Sequence, residues 1–258
     1  MIDAVEDLAR RWPTAAPIYR KLIRPLDVAV IGMPSSGRAT IVRALHRSLS
    51  VTAVAAGPST LGADADISLY LLVGRVRAGE AEAIARLPCD RRLVLLNKAD
   101  ACGPPDVVIG VAERCGSALG TEVLPVSGLW GAVTVTSDDA ALLRDIAAGE
   151  ALPARFAAQF AAVDPRRANL LGRIGRQGVV DCVEEVRAGR IAGNPRDFDQ
   201  LLRRRSGLRQ VSAAFAAMAG PIAIFRQERA RTELSTLAAA APGQLRDAVE
   251  HVLIGGRR

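Results

Sequence analysis

Residues 26–45, LDVAVIGMPSSGRATIVRAL, hold the first group whose types and spacing could do chemistry: an apolar run meets a loop bounded by Gly32 and Gly37, and an amphipathic stretch follows. Read as strand, loop and helix, this order brings backbone N–H groups and the positive end of a helix to one concave point, which suits a phosphate. The glycines keep the spacing of the phosphate-cradling signature G-x-x-x-x-G-K-[ST], in which the Lys reaches the outer phosphates and the hydroxyl holds magnesium. Here those two places are Arg38 and Ala39, and Thr40 lies one residue too late to be the usual metal ligand. The expected phosphate contacts are Gly32, Ser35, Ser36, Gly37, Arg38, Ala39 and Thr40, with the backbone cradle kept and two supporting side chains changed.

The second group lies in Arg92 to Asp100, RLVLLNKAD, a short apolar run ending in the pattern N-K-x-D at Asn97, Lys98 and Asp100. A carboxylate at the last position can accept from N1–H and the exocyclic amine of guanine, while Asn97 meets the Hoogsteen edge and the Lys98 stem covers the ring. Adenine cannot satisfy that carboxylate. On these residues the chain resembles the P-loop GTPases, and PVSGLWG places Ser127 and Gly128 where that family carries the loop that closes over the base. Each of the three stretches follows an apolar, β-branched run, as expected of loops at the carboxyl ends of parallel strands. The resemblance implies GTP or GDP as the ligand. It also implies a switch threonine and a D-x-x-G between the first two motifs, and no D-x-x-G is present. Only 65 positions separate Gly32 from Asn97, short for the family, so the strand hairpin after the first helix is expected to be lost. Thr60 and Asp66 are the nearby candidates for a residual role there.

These motifs need a scaffold of alternating strands and helices. A first helix is expected over Ile2 to Trp12, broken by Pro13 to Pro17; strands over VTAVAA, ISLYLLVG and TEVLPVS; helices over 77–86 and 105–115; and a closing helix from about Asp138. Such alternation implies a mostly parallel sheet covered on both faces, an α/β fold over residues 1–150. Beyond it, Pro- and Gly-divided segments with helical periodicity imply an all-helical part of five to seven elements over residues 151–258. The phrases LLGRIGRQGVV and RRRSGL resemble the dynamin-like, isoniazid-inducible actinobacterial GTPases, which implies a helical module facing a protein partner or a membrane surface.

Composition narrows the classes. The chain has 258 residues, half of them apolar, and carries +7 net charge. Residues 1–140 hold 15 basic and 15 acidic groups, so all the excess lies in the later residues, 19 basic against 12 acidic. Few aromatics interleave with these arginines, so stacking on single-stranded nucleic acid is not expected; a solvated helical surface is. No uninterrupted apolar run is long enough to span a bilayer, and the acidic N-terminus is unlike a secretory signal, so a cytoplasmic protein, at most peripheral to a membrane, is expected. The four cysteines show no C-x-x-C spacing, and no acidic cluster suggests a metal. Two functions follow: guanine-nucleotide binding with little magnesium dependence and weak, partner-assisted or absent hydrolysis, or a non-catalytic scaffold of the same fold acting through its helical part.

Overall fold

Five apolar runs become five parallel strands, β1 (Leu26–Gly32), β2 (Val51–Ala55), β3 (Ile67–Leu72), β4 (Arg92–Leu96) and β5 (Val123–Pro125), in the order β2-β1-β3-β4-β5. The computed structural model describes residues 1–56, 64–149 and 157–255. The named strands include no antiparallel pair: β2 follows the first crossover helix directly and lies parallel to β1, in keeping with the expected loss of a hairpin. The chain winds from β1 out to β2 and back across to β3. The loops after β1 and β3 therefore diverge around a crevice, the switch point at which doubly wound sheets bind ligands.

The helices, in chain order, are α1 (Ile2–Arg11), α2 (Ala16–Ile23), α3 (Arg38–Ser48), α4 (Glu80–Ala85), α5 (Ala99–Cys102), α6 (Pro105–Leu119), α7 (Gly128–Ala132), α8 (Ser137–Ala148), α9 (Ala157–Val163), α10 (Pro165–Arg187), α11 (Pro195–Arg205), α12 (Leu208–Ala217), α13 (Ala219–Ala240) and α14 (Gln244–Gly255). Alternate strand residues face opposite ways. Val28, Val30, Leu69, Leu71, Leu93 and Leu95 meet α3 and α12, whereas Ile31, Tyr70, Leu72, Val94 and Leu96 meet α4 and α6. Both faces are thus buried, as the continuous apolar runs require.

One feature departs from the sequence expectation. Pro13 to Pro17 does not simply end a helix: Pro13 opens a 3-10 turn and Pro17 sits in the first turn of α2, where its missing N–H has no partner to lose. Among the described residues, the helices beyond residue 150 share their buried clusters with earlier elements. Val211, Phe215 and Ile222 pack on the sheet, Leu170 to Leu202 share a core with Trp130, Leu143 and Ile146, and α13 and α14 share one with α1 and α2. The boundary set at 150 and 151 itself falls outside the described residues, as does Thr60. No single described helix is long and apolar enough to cross a membrane; α12 and α13 pass that test only as a pair bent by 55°. Within the stretch they share, Val211, Phe215 and Ile222 are buried against the sheet and Ile224 is exposed.

Asp66, which sequence placed near the missing switch, lies at the opposite end of β3, before its first residue. It is fully buried, and Arg226 of α13 grips it with two bonds, Nε to Oδ1 at 3.0 Å and Nη2 to Oδ2 at 2.6 Å. The N–H of Asp27 donates to Oδ2 as well, at 2.8 Å. Arg226 further donates to the carbonyls of Leu22 and Pro25, so one guanidinium ties α13 to α2, β1 and β3. Burial alone would raise the Asp66 carboxyl, but the bonds from Arg226 and Asp27 outweigh it and hold the group below its ordinary 3.8. A carboxyl depressed by folding contributes stability that is whole above its unfolded value and fades as pH falls through the folded one. The denaturant midpoint should therefore drop in acid below about pH 4, and this drop should be blunted in Asp66→Asn. At neutral pH that variant should lose about 3–5 kcal/mol, the usual cost of stranding one member of a buried pair.

Candidate functional site

Asn97 directly follows the last residue of β4, and it is buried beneath the crevice. Its Nδ2 donates to the carbonyl of Ser36 at 2.8 Å and its Oδ1 accepts from the N–H of Gly128 at 3.1 Å. One amide thus joins the loop after β1 to the loop after β5. The glycines of both loops answer to it: a Cβ on Gly37, whose φ is +89, would stand 2.5 Å from Nδ2, and one on Gly128 would stand 3.3 Å from Oδ1 and 2.8 Å from Ile41.

The loop after β1 opens with a turn in which Ser36 N–H donates to Met33 O at 3.1 Å. Pro34 and Ser35 hold its middle positions, and Ser35 has φ 64, the pattern of a type II turn without the usual glycine. Gly32 ends β1 so close to β3 that an added Cβ would lie 3.0 Å from Leu71 O. α3 then starts at Arg38 with no side-chain cap. Among the described residues, the N–H groups of Ser35, Gly37, Arg38 and Ala39 have no hydrogen-bond partner, and the buried Ser36 Oγ has none either. The positive end of an eleven-residue helix follows this loop directly, and Met33 to Ser36 line the crevice. The exposed residues Lys98, at φ 62, and Arg77 border the same crevice.

Arg38 does not point there. Its Nη1 donates to the carbonyl of Ala56, just past β2, at 2.7 Å, so the residue in the place of the signature lysine serves as a strut to the sheet edge. Ala39 is exposed and brings no hydroxyl, and Thr40 is half-buried one position further along α3. The expected set is therefore divided: Gly32, Ser35, Ser36 and Gly37 shape the cradle, and the Arg38 side chain leaves it.

On the other side, Ser127 Oγ donates to Asp100 Oδ1 at 2.5 Å and accepts from Trp130 N–H at 3.2 Å, capping α7. Ser127 is fully buried and its own N–H donates to Ser206 O at 2.9 Å, which links this loop to the turn between α11 and α12. Asn97, Lys98, Asp100, Ser127 and Gly128 thus meet at one edge of the sheet, as their spacing implies. Two participants were not legible. Arg77 lies past the point where the β3 pattern stops, at the C-terminal edge where crevice residues belong. Gly175 lies in a helical-looking phrase, but its backbone at φ 71, ψ 167 breaks α10 beside Asp100.

The arginine-rich face is partly paired: Arg205 binds Asp181 at 2.6 Å and Glu185 at 2.7 Å. Among the described residues no group of three His, Cys, Asp or Glu could hold a metal ion. No protein-family model matches the chain, and no curated protein matches it.

If Asn97 is the tie between the two loops, Asn97→Asp should destabilise the fold, because a carboxylate cannot donate to Ser36 O. Equilibrium unfolding should show a loss of about 1–3 kcal/mol, whereas Lys98→Ala, a change at an exposed side chain, should lie within about 0.5 kcal/mol of the parent.

Proposed function

We propose that this chain binds a guanine nucleotide in the manner of the P-loop GTPases it resembles, with phosphates at the loop after β1 and the base at Asp100. The observation that carries this reading is the Asn97 tie, which sets a cradle of free N–H donors beside a carboxylate supported by Ser127. The residues fit phosphate: the Ser36 Oγ lies buried without a partner at the cradle, and Lys98 and Arg77 supply positive charge at its mouth. They fit guanine through Asp100, an acceptor for the base edge, and through the Lys98 stem. Magnesium fits poorly, since Ala39 has no hydroxyl and no described carboxylate cluster faces the loop.

The chain's own residues then bind and orient more than they catalyse. With Arg38 tied to Ala56 O, no side chain of the loop reaches for an outer phosphate. Asp66 stands at the far end of β3, and Glu80, a buried carboxylate that lines the crevice, already accepts from the N–H of Arg77. Hydrolysis is accordingly weak, partner-assisted or absent. The scaffold reading draws on the same two facts and on the approach of α10 to Asp100; it differs in leaving the crevice without a nucleotide and giving the work to a protein partner of the helical part.

Calorimetric titration separates them. GDP should bind in preference to ADP, and Asp100→Ala should abolish the preference; equal affinities in the parent would refute the guanine reading. Steady GTP turnover should stay far below the ~1 s⁻¹ of ordinary enzymes, with little response to magnesium. The double variant Arg38→Lys, Ala39→Ser should gain magnesium-dependent GTP affinity if only those side chains were changed.

A further inference from the structure

We infer that the bend of α10 at Gly175 is a two-state lid on Asp100, so that the bent helix and a guanine base exclude one another. The inference rests on the guanine-nucleotide reading and adds to it the regulation of that site. Asp100 has two carboxylate oxygens, and each already has a neighbour. Oδ1 receives the Ser127 hydroxyl, and Oδ2 faces the bend, where a Cβ built on Gly175 would stand 3.4 Å away. A methyl group there would already touch Oδ2, so the α10 backbone borders the space beside that oxygen. A base whose N–H groups must come within hydrogen-bonding distance of the carboxylate needs that space for a ring.

The bend is held by an exchange of partners. In a straight helix the carbonyl of Ile174 would accept from the N–H of Gly178, four residues on. With Gly175 at φ 71, ψ 167, the indole Nε1–H of Trp130 donates to that carbonyl instead, at 2.8 Å. Gly178 makes the approach possible, since a Cβ there would lie 2.9 Å from Trp130 Nε1. Trp130 begins three residues after Ser127 in the loop over the base, so the group that latches the bend belongs to the site that the bend covers. Straightening would return the Ile174 carbonyl to the helix, release the indole and withdraw Gly175 from Oδ2.

The two halves of α10 are tied to different neighbours. Arg173, before the bend, pairs with Asp139 of α8 at 2.5 Å, and Asp181, after it, pairs with Arg205 of α11 at 2.6 Å. A change in the bend angle therefore moves α8 and α11 relative to one another, and nucleotide occupancy is passed to the helical layer.

The test uses the full chain, GDP as the probe, and Gly175→Ala beside Trp130→Phe. Alanine disfavours the left-handed backbone and favours the helix, so Gly175→Ala should bind GDP about tenfold more tightly. Trp130→Phe, which removes the latch, should change affinity in the same direction. GDP should also slow amide exchange around 172–178 in the parent and shift indole emission in Trp12→Phe, where Trp130 is the sole indole. Binding by Gly175→Ala where the parent binds none would support the lid most directly. Parent binding with unchanged exchange and emission, and no gain in either variant, would overturn the lid and leave the guanine reading standing. Absence of GDP binding in the parent and both variants would overturn the two together.

Discussion

The architecture of the crevice depends on one buried amide. A carboxamide can donate and accept at once; Asp could only accept, and an apolar residue of the same size could do neither. Because Asn97 does both, the loop after β1 and the loop after β5 are held at a fixed separation, and glycine is required at Gly37 and Gly128, where the amide comes closest. The constraint spreads outward. Gly128 opens α7, Ser127 supports Asp100 and donates its N–H to the carbonyl of Ser206, and Trp130 reaches Ile174, so the position of α10 to α12 is referred back to the same point.

The opposite end of the sheet is clamped independently. Asp66 and Arg226 sit beneath β1 and β3, and Arg91 reinforces them by donating to the carbonyls of Ala65 and Asp66 while lying 3.5 Å over the ring of Phe225. Between the two clamps, α12 and the start of α13 cover one face of the sheet. The helices after residue 150 thus complete the core of the nucleotide-like part. An isolated pair of buried charges adds little net stability, but removal of one partner is costly, so this clamp acts chiefly to fix where α13 lies.

The strands were legible because buried parallel strands are nearly continuous apolar runs, and the site residues were legible because their spacing sets which loops they occupy. Helical periodicity is less informative: it tells which face of α12 is apolar but not that Val211 and Phe215 join the cluster that holds Leu69 and Leu93, since these are distant in sequence. α2 was hidden by Pro17, which marks a helix start as readily as a break. The direction of Arg38 depends on where β2 ends, a tertiary fact. The bend at Gly175 escaped for a simpler reason, as glycine is tolerated in a straight helix and only its φ distinguishes the two states.

The excess of arginine finds a structural use that also bears on partners. Guanidinium presents five donors in a plane and can satisfy several carbonyls at once, which a lysine ammonium does less well. Arg187 donates to the carbonyls of Ile146, Ala147 and Gly149 at the end of α8, Arg246 to those of Ala238 and Ala239 at the end of α13, Arg144 to Gly193 and Arg38 to Ala56. Helix C-termini leave carbonyls without partners and carry partial negative charge, so Arg187 and Arg246 both fill hydrogen bonds and oppose that charge. Positive residues distributed in this way are anchored by the fold they stabilise. A polyanion meeting Arg187 or Arg246 would have to compete with those carbonyls for their donors.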